Sequence, residues 1–97
     1  MQFILIALDG TDAGASERRL KNRPAHLEKI AQTKKAGNFI FGGAMLNDKD
    51  EMIGSAILYE VVNREELDRI LKDEPYIINK VWEKIDIRPF RLVKVAD

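Results

Sequence analysis

The stretch that most constrains the fold lies near the start of the chain. Residues 3–8, FILIAL, are six consecutive apolar residues. A strand with one face in water alternates apolar and polar side chains, so an unbroken apolar run predicts a strand that is covered on both faces. The run is far too short to cross a bilayer, and it lacks the basic start and cleavage site of a signal peptide. The fold must therefore cover both sides of this strand.

The rest of the chain predicts three more strands and two helical regions. Predicted strands cover residues 38–46, 52–61 and 83–95, and a second helix covers 63–73, with a helical turn after it. Proline breaks a helix interior, so Pro24 predicts a short helical lead-in over 15–21 and a main helix over 24–35. Leu20, Leu27 and Ile30, extended by Ala31, predict the apolar stripe of this region. Asn63, with Glu66 three residues later, predicts a helix cap.

The order strand, helix, strand, strand, helix, strand predicts an α+β fold of the ferredoxin-like class. Both helices pack on one face of a four-stranded antiparallel sheet in this arrangement. The other face would stay bare, which conflicts with the covered first strand. A second copy of the sheet resolves the conflict, so we expect one domain over residues 1–97 that forms a homodimer, a dimeric α/β barrel.

Composition argues against several classes of function. Sixteen basic residues balance 16 acidic ones, so we expect no nucleic-acid partner and no attraction to an anionic membrane, both of which need a concentrated positive charge. With no cysteine and one histidine, the chain has a poor set of metal ligands. No phosphate-binding glycine motif and no serine nucleophile motif occurs. We expect a cytoplasmic protein with no metal, no cofactor and a small-molecule ligand.

The single histidine, His26, is the first candidate for chemistry. With Pro24 as the first helical residue, His26 occupies the third position, where the free backbone N–H groups favour a neutral imidazole. A neutral imidazole accepts protons and serves as a general base. Asp73 and Glu74 precede a proline after the second helix, and either carboxylate could orient the imidazole. The alternative is a histidine on a helix surface and a solvated acidic turn.

Four further residues are candidates for the same pocket. Asp9 ends the first strand, where it either forms a turn or faces a cleft. Arg23, with Arg18 and Arg19, lies on the approach to His26 and suits an anionic substrate. Gly43, in the Gly42-Gly43 pair, permits close approach of a ligand to the backbone, or relieves crowding. Tyr76 follows the acidic pair, although aromatic residues here also suit a core or interface.

Taken together, the motifs RPAHL (23–27), GG (42–43), EPY (74–76) and RPF (88–90) resemble the YciI-like (YCII-related) family over essentially the whole chain. The resemblance implies a ferredoxin-like dimeric α/β barrel with a histidine and an aspartate in the active site. His26 matches the histidine. The family's aspartate directly precedes the proline; Glu74 stands there, with Asp73 one residue earlier. Arg23 matches the motif, and Asp9 matches an acidic position after the first strand.

The resemblance also implies an enzyme class. We expect a small homodimeric, cofactor-independent enzyme, an isomerase or a lyase, in which His26 and Glu74, or else Asp73, transfer a proton. The reaction would be isomerisation, elimination or dehydrochlorination of a small hydroxylated aromatic or lactone-like substrate. The alternative is a module of the same fold that binds a small molecule or a partner without catalysis.

Overall fold

The structure, a computed structural model that describes residues 1–96 of the 97-residue chain, consists of one sheet and three helices. The strands are β1 (Gln2–Asp9), β2 (Phe39–Leu46), β3 (Met52–Glu60) and β4 (Trp82–Phe90). The helices are α1 (Ala15–Lys35), α2 (Arg64–Lys72) and the short α3 (Pro75–Ile78). No helix within residues 1–96 is long and apolar enough to cross a membrane.

The sheet is antiparallel throughout, with the strand order β2-β3-β1-β4. β1 lies between β3 and β4, so that Leu5 stands opposite Ile57 on one side and Ile87 on the other. This order and the sequence of elements confirm the ferredoxin-like prediction. β4 is an edge strand, which accommodates Pro89, and it ends at Phe90, whereas the sequence predicted a strand to Val95.

One face of the sheet packs against the helices. Alternate residues of β1, Phe3, Leu5 and Ala7, are buried in a cluster with Leu67 and Leu71 of α2. The predicted cap of α2 is present, because the Asn63 side chain accepts a hydrogen bond from the Glu66 backbone N–H at 3.0 Å. Side chains at odd positions of β1 therefore build the core and orient α2 and α3 over it.

The opposite face of the sheet carries the other half of the apolar run. Ile6 and Leu8 are 36% and 43% exposed there, although Leu58 on β3 is fully buried. Phe41 lies on the same face, beside Leu58, because the register of β2 shifts between Phe39 and Phe41. We call this surface the open face. In the single chain, the even positions of β1 are thus incompletely covered.

α1 differs from the prediction at Pro24. The sequence predicted two helical segments, but the structure has one helix of 21 residues with Pro24 inside it. A proline removes one backbone hydrogen bond, the one its own N–H would donate to the Leu20 carbonyl. Leu20 is 62% exposed, so the surface of the helix around this carbonyl is in contact with solvent. The loss is small enough that the helix continues through the proline.

The buried stripe of α1 also differs from the prediction. The predicted apolar stripe was wrong at Leu20 and Leu27, which are both exposed, whereas Ile30 is partly buried and packs against the core. The buried side chains are Arg19, His26 and Thr33, with Ala15 at the start of the helix. These three polar residues recur every seven positions, about two helical turns, so the continuous helix presents them along one face. α1 therefore turns a mainly polar stripe, with Ile30 beside it, towards the protein.

Candidate active site

His26 and Glu74 meet beneath the surface. Nδ1 of His26 lies 2.5 Å from Oε1 of Glu74, and the two residues are 7% and 1% exposed. A carboxylate only accepts hydrogen bonds, so Nδ1 carries the proton of this bond. In the neutral ring, Nε2 is then the unprotonated nitrogen, and it forms no hydrogen bond to any of residues 1–96. The pair therefore presents one basic nitrogen whose tautomer is fixed by the buried carboxylate.

The local sequence explains why Glu74 faces His26. Glu74 is the N-cap of α3, and Pro75 is the first helical residue, a position that proline favours. Oε1 of Glu74 accepts a hydrogen bond from the Tyr76 backbone N–H at 3.2 Å. This cap and the bond to Nδ1 use the same oxygen atom, so the backbone of α3 holds the carboxylate in place. The EPY motif is thus a helix start that positions an acid.

His26 is not at a helix N-terminus. It lies in the interior of α1, so the proposed effect of free N–H groups on its imidazole was wrong, for the same reason that Pro24 does not begin the helix. The ring instead stacks on Tyr76, with the ring centroids 3.9 Å apart and the planes at 6°. Trp82 packs edge-on against both rings. Glu74 and these aromatic contacts fix the imidazole.

Burial affects the two tyrosines in this region. It raises the pKa of the Tyr76 hydroxyl above its ordinary value of 10.0. It also raises the pKa of Tyr59, on β3, and the negative charge of Glu74 adds to that shift. Both phenols therefore stay protonated at neutral pH.

A second buried cluster surrounds Arg19, seven residues before His26 on the same face of α1. Nη1 of Arg19 donates to both carboxylate oxygens of Asp9, each at 2.9 Å. Nη2 of Arg19 donates to Oγ of Ser55 at 3.1 Å, and the Trp82 indole N–H donates to the same Oγ at 3.1 Å. The Arg19 guanidinium lies 4.9 Å from the centre of the Tyr76 ring. This cluster links β1, α1, β3 and β4 and adjoins the aromatic wall of His26.

A pocket of about 100 Å³ separates α1 from the β2–β3 hairpin. It is smaller than the 300–1,000 Å³ typical of sites for drug-sized ligands, so it suits a small ligand or one end of a larger one. Its polar wall consists of Arg19, Arg23, His26, Ser55 and Tyr76. Apolar residues and the backbone of Gly42 and Gly43 complete the wall. The basic nitrogen of the pair therefore belongs to a residue that borders a defined cavity.

The structure brings most of the sequence candidates to this pocket, but not all. His26, Arg23, Gly43 and Tyr76 border it, and Glu74 lies directly behind His26. Asp9 is not part of its wall, because it is held beneath Arg19. A Cβ atom added at Gly43 would meet no atom within 4 Å, so packing within the chain does not itself require a glycine at this position.

Asp73 lies outside the pair. Its carboxylate, 70% exposed, contacts Nζ of Lys29 at 2.7 Å. This hydrogen bond with the lysine ammonium lowers the pKa of Asp73. Lys29 is three residues beyond His26, about one turn of α1. These two neighbouring side chains of the helix therefore bind the two consecutive acids, Asp73 and Glu74. Asp73 reaches the surface, and Glu74 reaches the imidazole.

Sequence reasoning missed part of the site. Neither Ser55 nor Trp82 belongs to a motif that the sequence offered. Arg19 was grouped with its neighbours, and its pairing with Asp9 was not foreseen. One signal was available: Arg19 and His26 are seven residues apart, which places them on one face of any uninterrupted helix. The expected break at Pro24 hid it.

No group of three or more histidine, aspartate or glutamate side chains in residues 1–96 is arranged to hold a metal ion.

Comparison with known proteins identifies relatives over the full chain. Protein YciI of Escherichia coli O6:H1 is 28% identical over 99 residues, which covers 96% of this chain and 99% of that protein. Protein YciI of Shigella flexneri matches to the same extent.

Solved structures share the fold. The 5-chloro-2-hydroxyhydroquinone dehydrochlorinase TftG from Burkholderia phenoliruptrix AC1100, in complex with 2,5-dihydroxybenzoquinone, superposes with a TM-score of 0.80 at 21% identity and covers 94% of each chain. An antibiotic biosynthesis monooxygenase superposes with a TM-score of 0.56 at 17% identity, covering 97% of this chain and all of that one. The model of the YCII-related domain matches residues 1–91. The chain therefore belongs to the family of YCII-related domains.

Proposed function

We propose that this protein is a small homodimeric enzyme that works without a cofactor and transfers a proton through His26 and Glu74. The carrying observation is the buried Nδ1–Oε1 contact of 2.5 Å beside a pocket. A histidine with a fixed tautomer and a free Nε2 is the usual general base at neutral pH. Glu74 holds the ring and stabilises the imidazolium that forms when Nε2 takes a proton.

The proposed substrate is a small hydroxylated aromatic or lactone-like compound, and the reaction is isomerisation or elimination, including dehydrochlorination. Support comes from the likeness to TftG, a dehydrochlorinase whose structure contains 2,5-dihydroxybenzoquinone. The aromatic and apolar wall of the pocket, which includes Phe39, Ile57 and Tyr76, suits the ring of such a compound. Arg23 is exposed and forms no ion pair within residues 1–96, so its charge is available to an anionic substrate.

The proposed dimer pairs the open faces of two copies. Ile6, Leu8 and Phe41 are large apolar side chains that water contacts in the single chain, and burial of such surface is favourable by about 25 cal/mol per Å². We expect Ile6→Glu to yield a monomer in sedimentation equilibrium. The matched control is Val62→Glu at a position that is 75% exposed away from the sheet. Equal association of both variants would exclude the open face as the interface.

Hydrogen exchange tests the catalytic proposal directly. The protein is incubated with a hydroxyquinol or a small lactone in deuterated water, and deuterium incorporation is followed by NMR. We expect His26→Asn to lower the exchange rate by about 10²–10⁴-fold, because its amide can still donate to Glu74 but cannot act as a base. Gln32→Asn, at an exposed position of α1, serves as the control and should exchange as the parent does.

Equal exchange in the parent and in His26→Asn would remove His26 from the mechanism. Binding of these compounds with no exchange in any variant would instead identify a non-catalytic binding module of the same fold. The non-catalytic module is the second candidate function because a pocket of this small volume also suits a sensor that binds one small ligand.

A further inference from the structure

We infer that the pocket is an oxyanion site in which the hydroxyl group of Ser55 is the hydrogen-bond donor. This deepens the proposed function, on which its catalytic part rests, by naming the substrate class. The ligand carries an oxygen atom that is negatively charged or becomes so during the reaction, such as a carboxylate, a phenolate or an enolate. Four observations around the pocket lead to this assignment.

The first observation is the hydrogen bonding of Ser55. Its Oγ receives N–H donors from Arg19 and from Trp82, each at 3.1 Å. Both partners can only donate, so Ser55 must accept both bonds, and these use its two lone pairs. Its own proton then has to be donated elsewhere. No acceptor for it occurs within residues 1–96, and Ser55, 2% exposed, borders the pocket.

The second observation concerns other donors of the same wall. Nε of Arg19 and the hydroxyl of Tyr76 are buried and have no hydrogen-bond partner in the described residues. Both residues border the pocket, although these two atoms themselves have almost no accessible surface. A buried donor without a partner is unfavourable, so a small shift of the wall that lets a ligand accept from either atom would be favoured.

The third observation is the position of the carboxylates. Asp9 and Glu74 are close to the pocket but do not form its wall, because each is turned towards a partner of its own, Arg19 and His26. Indeed, no aspartate or glutamate borders the pocket among residues 1–96. The wall thus contains hydrogen-bond donors but no carboxylate, which favours a ligand that is rich in acceptors.

The fourth observation is the charge at the mouth. Arg23 is one helical turn from Arg19 on α1 and borders the same pocket. Since the charge of Arg19 is matched by Asp9, Arg23 supplies the uncompensated positive charge of the wall. A bound oxyanion would neutralise it.

These groups complete the proton-transfer step. Nε2 of His26 takes a proton from a carbon next to a carbonyl group, so the C–H bond breaks and an N–H bond forms. The electron pair of the C–H bond becomes a C=C bond, and the carbonyl π electrons move onto oxygen. Ser55 donates to that oxygen, and the Arg19 bond to Ser55 polarises the hydroxyl. Return of the proton to another atom of the substrate completes an isomerisation.

A binding experiment tests the site without any turnover. Trp82 is the only tryptophan, and its indole N–H is bonded to Ser55, so its single NMR signal reports on the pocket. We expect benzoate to shift this signal in a saturable titration and neutral benzamide to bind at least about 10-fold more weakly. Ser55→Ala should weaken benzoate about 10-fold or more, because a hydrogen bond to a charged group contributes about 1.5–3 kcal/mol.

Matched controls separate donor loss from structural damage. Ser16→Ala, at an exposed position of α1, should bind benzoate as the parent does. Ser55→Ala also removes the acceptor of Trp82, so Arg23→Gln provides an independent variant that leaves the buried cluster intact. It should weaken benzoate and spare benzamide, whereas Lys21→Gln, exposed on the same helix, should change neither.

The outcomes are distinct from those of the exchange assay. Benzoate binding that does not depend on Ser55 or Arg23, or benzamide binding that matches benzoate, would overturn the oxyanion site, even if exchange depends on His26. Benzoate binding that depends on both residues, without exchange in the parent protein, would uphold the site and reject the catalytic proposal.

Discussion

Removal of His26 should show how much it costs in free energy of unfolding to leave the buried carboxylate of Glu74 without its partner. Glu74 is 1% exposed, and His26 is the only charged or ionisable side chain within residues 1–96 that hydrogen-bonds to it. In His26→Ala, the carboxylate is left buried without a partner of opposite charge. Removing one partner of a buried ion pair costs about 3–5 kcal/mol in other proteins, because the remaining charge is uncompensated.

The comparison that isolates this cost is His26→Ala against His26→Ala/Glu74→Gln. Both variants lack the imidazole and its stacking on Tyr76, so they differ only in the charge at position 74. We expect the double variant to be more stable by up to about 4 kcal/mol at pH 7, because glutamine carries no charge that must be buried. Urea unfolding at matched protein concentrations, followed by the fluorescence of Trp82, measures the free energy of unfolding of both variants.

Equal stability of the two variants at pH 7 would refute the reasoning, because it would mean that Glu74 is not a desolvated ion. Asp73→Asn supplies the control. Its carboxylate is exposed and pairs with Lys29 at the surface, so the change should cost less than about 1 kcal/mol.

Three further changes test other features of the structure. Burial raises the pKa of Tyr76, so this phenol adds stability that is fully present below pH 10 and is lost at higher pH. Between pH 8 and pH 11, the free energy of unfolding of Tyr76→Phe should therefore fall by up to about 1.4 kcal/mol less than that of the parent, as measured by urea unfolding. An equal fall in both proteins would contradict the raised pKa of Tyr76. Gly42→Ala should lower the free energy of unfolding by about 1–3 kcal/mol, because its Cβ would lie 2.9 Å from the Phe39 ring. Gly43→Ala is the control and should leave the free energy of unfolding unchanged, because its Cβ would meet open space. Equal urea midpoints for the two variants would argue against this packing. Pro24→Ala should raise the free energy of unfolding by about 0.5–1.5 kcal/mol, since alanine restores one backbone hydrogen bond; a lower urea midpoint would show that the packing needs the proline.

The fold was predictable because its strongest signals are short-range. The FILIAL run, the cap at Asn63 and the polar loop between the middle strands define the elements and their order. That order admits few topologies, and the strand order observed is the one the ferredoxin-like class requires. Boundaries were less certain where no local signal ends a strand, as at Phe90.

The site was predictable only in part, because its geometry depends on whether α1 continues through Pro24. A broken helix would rotate Arg19 away from His26, and the two residues would then have separate roles. Whether a proline ends a helix depends on the solvation of one carbonyl, that of Leu20, and on tertiary packing around it. Neither is visible in the sequence. The exposed leucines reinforced the error, since they suggested an apolar stripe on the wrong side.

The choice between Asp73 and Glu74 shows the same limit on a smaller scale. Both acids precede Pro75, and both lie near α1 in the fold. The residue directly before a proline at the first helical position becomes the N-cap, and its side chain turns back over the helix start. That rule predicts Glu74, rather than Asp73, as the cap of α3. Whether the Glu74 side chain then meets a histidine or solvent depends on how α1 packs against α3.

The energetics of the polar stripe favour a functional explanation for it. The pairs Arg19–Asp9 and His26–Glu74 occupy interior positions of a small domain, where apolar area is scarce. Replacing such a pair by apolar side chains of similar volume is often neutral or stabilising, since desolvation offsets the attraction of the charges. Stability alone therefore gives little reason to bury them, and still less to bury the unpartnered Nε of Arg19 and hydroxyl of Tyr76 beside them. A ligand that accepts a hydrogen bond from the Ser55 hydroxyl and supplies a proton to Nε2 of His26 would use the groups that these two pairs hold in place.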